Sequence, residues 1–155
     1  MFQAVTLACV LAMIDVGWWL LRGEKNLYRG LPKMADFGLE LGAARARDAG
    51  FDIVIPSEQN HPLEPDVVEG LRATFASHGL RLLLEEELPS SRHLTNTQCP
   101  GCLAFGYGVV INTPLFARVY THQFLYSGGS SILEHRRLWL FGTWLPLSDK
   151  MVGQE

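Results

Sequence analysis

The stretch that decides how this chain is read is Phe2–Leu21, FQAVTLACVLAMIDVGWWLL, in which every residue is apolar or small except Gln3, Thr6 and Asp15. It closes on Trp18-Trp19 and turns polar at once, at Arg22-Gly23-Glu24-Lys25. About 20 apolar residues is the length a helix needs to cross a hydrocarbon core, and a tryptophan pair at one edge suits the headgroup level. No basic residue precedes the run and no small-x-small cleavage site follows it, so a removable signal peptide fits poorly. The expectation is a transmembrane anchor helix over 1–21. Two other readings compete with it. A buried helix of a soluble core is one. An interfacial helix is the other, and its polar residues do not gather on one face as such a helix requires.

Working outward, the flank after the run carries Arg22, Lys25, Arg29 and Lys33 against one acid, Glu24, while no basic residue lies on the N-terminal side. The positive-inside rule therefore places the domain that follows in the cytoplasm, with a single pass through the membrane. Asp15 is the awkward residue. A carboxylate within a span is costly without a partner, so Asp15 is an expected intramembrane polar contact, made with another helix or near the interface. With one candidate span, that partner is expected from another copy or another protein.

The chain has 155 residues, enough beyond the anchor for one domain with a real core. Its net charge of −3 gives no general basic surface, which argues against nucleic acid as a partner. Three cysteines, one inside the apolar run, do not make a disulfide framework.

Residues 22–33 read as a basic linker with Gly23, Gly30 and Pro32, and 34–155 as the folded domain. A helix is expected from about Ala35 to Ala49, with Gly38, Gly42 and Ala46 as a small-residue stripe for close packing. Phe51–Pro56 reads as a buried strand. Pro65 opens a helix with acids in its first turns, which His78 and Gly79 close. Leu80–Leu84 is the next strand, and the β-α-β pattern makes the two strands candidate parallel neighbours. Ala104–Asn112 is a further strand, Arg118–Tyr126 and Ser131–Phe141 form an antiparallel hairpin around Gly128-Gly129, and the tail from Pro146 is a loop. The fold class is α+β: an N-terminal hydrophobic, transmembrane helix, then a small helix/sheet domain with a C-terminal hairpin.

Three constellations carry candidate chemistry. Cys99-Pro100-Gly101-Cys102 spaces two thiols for a redox disulfide or for two corners of a zinc site, with His93 as a further metal ligand. These four residues resemble the C-P-x-C of glutaredoxin-like proteins. The strand-like sequence that follows is not the helix those proteins place there, so their activity is not carried over. No other cofactor is expected. The hairpin supplies the second constellation. A two-residue turn at Gly128-Gly129 pairs His122 with His135, Tyr120 with Arg137 and Arg118 with Trp139, all on one face, as a candidate ligand-binding surface. The third is Ser57–His61, after the first strand, where Glu58 and His61 would be acid and base.

No phosphate-binding Gly-Lys loop, nucleophile elbow or zinc-protease helix motif is present. The leading expectation is a membrane-anchored accessory or interaction protein, a small subunit of a larger membrane complex whose partner is another membrane protein or a second copy. One alternative is a metal- or thiol-dependent enzyme or ligand-binding domain using the hairpin face or the cysteine loop. Another is a soluble immunity- or inhibitor-type binder with the first helix in its core.

Overall fold

The computed structural model describes residues 2–41, 52–57, 62–88, 102–113, 115–124 and 130–154. Helix α1 runs from Phe2 to Tyr28, α2 from Leu31 to Glu40 and α3 from Pro65 to Ser77. Six strands, β1 (Asp52–Ile55), β2 (Arg81–Leu84), β3 (Cys102–Thr113), β4 (Phe116–Phe124), β5 (Ser130–Leu140) and β6 (Thr143–Gln154), form one mixed sheet in the order β2-β1-β3-β4-β5-β6. The α+β expectation holds, and so does the pairing of the first two strands. β1 runs parallel to β2 and to β3, whereas β3 to β6 form an antiparallel meander.

Three features depart from the sequence reading, each for a physical reason. Residues 22–33, expected as a basic linker, are largely helical: α1 continues to Tyr28 and α2 starts at Leu31. The break between them falls where Pro32 has no N–H to give to the Tyr28 carbonyl, which ends the hydrogen-bond ladder. Gly23 survives inside α1 because a Cβ there would lie 2.7 Å from Cδ1 of Trp19, so the indole occupies the space a larger residue would need. The small-residue stripe is described only at Gly38, which is buried; Gly42 and Ala46 lie outside the described residues. Close helix approach is instead seen at Gly70 of α3, where a Cβ would meet Cγ of Pro32 at 2.9 Å.

The tail from Pro146 is strand, not loop. β6 is the edge of the sheet, and Pro146 sits at a register shift opposite Arg137, the kind of position where a residue without an N–H does least damage. Finally, β4 and β5 pair at positions that sum to 254, Phe116 with Leu138 through Phe124 with Ser130, and not at the 257 that a Gly128-Gly129 turn sets. The odd shift exchanges the faces of one strand against the other.

The core lies between the sheet and the helices α2 and α3. Leu27, Leu31, Met34 and Leu39 repeat at helical spacing across the α1–α2 break and face Leu71 and Phe75 of α3. Ile53, Ile55, Phe105, Ala117 and Val119 supply the sheet side. Phe75 meets Phe105 edge to face at 5.4 Å. Val54, pointing to the opposite side of β1, is covered by Leu83 and Leu88, so β1 is buried on both faces as an internal parallel strand should be. Arg81 forms a two-point pair with Asp52 at 2.8 and 2.6 Å across the β1–β2 register.

Candidate functional site

Two arrangements have functional content. The first is α1. Its most apolar window has a mean hydropathy of 2.0 and is not buried by the rest of the chain, so α1 is one helix long and apolar enough to cross a membrane. Ten large hydrophobic residues, among them Leu7, Leu11, Ile14, Leu20 and Leu21, stand exposed along it. Among the described residues, only the last turns of α1, through Leu27, join the hydrophobic core.

The second half of α1 is docked. The carboxylate of Asp15 accepts hydrogen bonds from the backbone N–H groups of Phe141 (3.3 Å) and Gly142 (2.9 Å), at the turn between β5 and β6. Its carbonyl oxygen accepts from the Trp139 indole at 3.3 Å, and the Trp144 indole donates to the Gly23 carbonyl at 2.6 Å. Trp139 and Trp144 meet edge to face at 5.3 Å. The expected partner of Asp15 in another chain is thus corrected: it lies 126 residues further along the same one. A carboxylate holding two turn amides is a charge-assisted contact, stronger than a neutral one. The turn needs it. Phe141 has φ 49° and Gly142 φ 76°, the left-handed pair that a two-residue hairpin turn demands, and a phenylalanine there is strained.

Basic residues after the apolar run also tie the helix down. Lys25 pairs with Glu64, and Arg29 lies 3.6 Å from Glu64 and 3.4 Å from Asp66 at the start of α3. Arg22 sits over the Trp18 ring at 4.8 Å.

The second arrangement is a buried polar network across the last three strands. Thr121 of β4 lies 3.0 Å from Nε2 of His135 of β5, and Nδ1 of His135 lies 2.8 Å from Asp149 of β6. Arg137 donates to the same carboxylate oxygen at 2.6 Å. Thr121 and His135 are fully buried, and Phe37 of α2 packs edge-on against the imidazole. Burial, seconded by the Arg137 charge, outweighs the pull of Asp149 and holds the His135 pKa below its ordinary value. The ring is therefore neutral near pH 7, with Nδ1–H donating to Asp149 and Nε2 accepting from the Thr121 hydroxyl. Burial pushes Asp149 up, but hydrogen bonds from Arg137 and His135 more than offset it, and the carboxyl stays below its usual range. Arg137 and Asp149 reach a cleft of about 470 Å³ that Asn26, Arg29 and Lys33 also line.

The candidate ligand face of the hairpin is split by the register. His135, Arg137 and Trp139 turn inward beside Ala117, Val119 and Thr121, while Arg118, Tyr120 and His122 lie on the other face with Arg136 and Glu134. His122 is opposite Ile132, not His135, and burial lowers its pKa. On that outer face Tyr120 donates to Glu134 at 3.2 Å, and Arg136 and Lys150 pair with the same carboxylate. Cys99, His93, Glu58 and His61 lie outside the described residues; Cys102 opens β3 opposite Asp52. Among the described residues no cluster of three metal-ligating side chains occurs. The sequence does not point to Asp149, because the tail from Pro146 reads as loop, nor to Thr121, because the Gly128-Gly129 register sets it on the face opposite His135.

No family model, curated protein or solved structure matches the chain significantly. The fold and these two arrangements therefore carry the functional argument alone.

Proposed function

We propose that the chain is a membrane-anchored accessory or interaction protein. In this reading α1 crosses the bilayer once and holds the α+β domain against a larger membrane complex, formed with another membrane protein or with further copies. The observation that carries it is the exposed apolar surface of α1. Ten large hydrophobic residues on this one helix are left uncovered, in one continuous stretch from Val5 to Leu21. A soluble monomer rarely exposes so large an apolar patch, and each such side chain gains roughly 1.5–3 kcal/mol on leaving water.

The positive-inside rule orients the assembly. Arg22, Lys25, Arg29 and Lys33 follow the apolar run, so the domain faces the cytoplasm. Docking of α1 through Asp15, Gly23 and the two inner tryptophans supports an anchor that also fixes how the domain stands, because the helix is not joined by a loose tether. Fractionation of cells expressing the full chain tests the reading. The protein is expected in the membrane pellet and to remain there after alkaline carbonate extraction; release into the soluble fraction overturns it.

A further inference from the structure

We propose that the end of the sheet beside Asp15, formed by Leu115-Phe116 and Leu140-Phe141, is a lipid-contacting rim that enters the membrane interface next to α1. The inference rests on the anchor reading and adds a second membrane contact to it.

The helix dimensions require such a contact. The apolar run Phe2–Leu21 is about 30 Å long at 1.5 Å per residue, which matches a hydrocarbon core. The sheet, however, is fastened to α1 at Asp15 and not at Leu21. Only Phe2 to Ile14 projects beyond that point, about 20 Å of helix, too little to span a core of about 30 Å. A complete crossing therefore brings the β5–β6 turn about 9 Å past the level of Leu21, into the outer part of the acyl chains just below the headgroups.

The sheet end is built for that position. Phe141 is 82% exposed, Phe116 45%, Leu115 40% and Leu140 38%. The two turns adjoin, since the Trp139 N–H donates to the Leu115 carbonyl at 2.8 Å. No charged residue occurs from Leu115 to Ala117 or from Leu138 to Leu147. Two of the backbone polar groups that would resist leaving water are already engaged. Both N–H groups of the turn are taken by Asp15, and the same contacts satisfy the Asp15 carboxylate. A strained, exposed phenylalanine is a poor choice for a turn in water, where Asn or Gly fits the left-handed conformation. In the interface its ring has an apolar medium to occupy.

The test is photocrosslinking of the full-length chain in phosphatidylcholine vesicles. p-Benzoyl-phenylalanine replaces Phe141 in one sample, Phe116 in a second and Leu7, exposed on α1, in a third. Lipid adducts are expected from all three. Adducts from position 7 with none from 141 and 116 overturn the rim and leave the anchor standing. Protein adducts in place of lipid at 141 and 116 overturn it too, by making this end a protein interface. Absence of lipid adducts from every position takes down the anchor reading and the rim together.

Discussion

Replacing Asp15 by alanine tests whether the helix is joined to the sheet as described. The substitution removes the acceptor for two backbone N–H groups, one bond at 2.9 Å to Gly142 and a longer one at 3.3 Å to Phe141. A hydrogen bond to a charged group contributes about 1.5–3 kcal/mol, and the 2.9 Å contact supplies most of it here because Phe141 is largely exposed. The turn then loses the contact that offsets its left-handed phenylalanine, a conformation disfavoured by ~1 kcal/mol or more. The expected loss is about 2–3 kcal/mol, or a fall of roughly 4–12 °C in the unfolding midpoint of a chain this size. Asp15→Asn keeps one acceptor oxygen and loses the charge, so about half of that loss is expected. Thermal unfolding in detergent micelles, followed by near-ultraviolet circular dichroism, reads both the midpoint and the Trp139–Trp144 pair, which stands within reach of the change at 5.3 Å. Leu11→Ala, on the exposed part of α1, is the control and leaves the midpoint in place. If Asp15→Ala unfolds at the wild-type temperature with an unchanged aromatic spectrum, the contact with the turn does not hold the helix. The partner of Asp15 is then expected in a second chain.

His135 makes stability depend on pH in a definite sense. Its folded pKa lies below its ordinary value near 6.5, so the unfolded chain takes up the proton first; stability is full above that value and falls as pH drops through it toward the folded pKa. The midpoint is therefore expected to fall between pH 7.5 and 5.5, and His135→Gln to flatten that slope; an equal slope in the variant removes the histidine as its source. Gly70→Ala, a favourable change by helix propensity, is expected to destabilise by about 1–3 kcal/mol because the new Cβ would lie 2.9 Å from Cγ of Pro32. A chemical-denaturation midpoint equal to or above wild type would show that α2 and α3 do not pack this closely.

What was legible in the sequence was local. Asp52–Ile55, Pro65–Ser77 and Arg81–Leu84 follow from short apolar runs, a proline at a first helical turn and a glycine after a last one. The apolar helix was legible for the same reason, one unbroken hydropathic run. Its true end was not. Gly23 and the charges around it look like a linker until the Trp19 ring is seen filling the space beside the glycine. The partner of Asp15 was beyond reach, since nothing near Asp15 in sequence points to a turn 126 residues away. At the hairpin, turn chemistry and burial point to different registers, and burial decides. The Gly128-Gly129 register would have put Arg118 on the face of Trp139 and Leu133, both wholly buried. The observed one gives that face Ala117, Val119 and Thr121 instead.

The same burial clarifies what Thr121, His135 and Asp149 do. A hydroxyl, an imidazole and a carboxylate in line, at 3.0 and 2.8 Å, have the connectivity of a nucleophile-activating relay. A nucleophile must also meet its substrate, and Thr121 is sealed between β4 and the helix layer, with the imidazole capped by Phe37. Arg137 further ties up the carboxylate that would stabilise a protonated ring, and its own charge opposes that protonation. What the trio does visibly is connect three consecutive strands, one residue from each. A slip of one residue between β4 and β5, or between β5 and β6, turns one partner to the opposite face and leaves buried polar groups unpaired. The network thus ties the register of β4, β5 and β6 to one another. That register in turn sets Trp139, Phe141 and Gly142 against Asp15, so the buried histidine and the apolar helix belong to one mechanical unit.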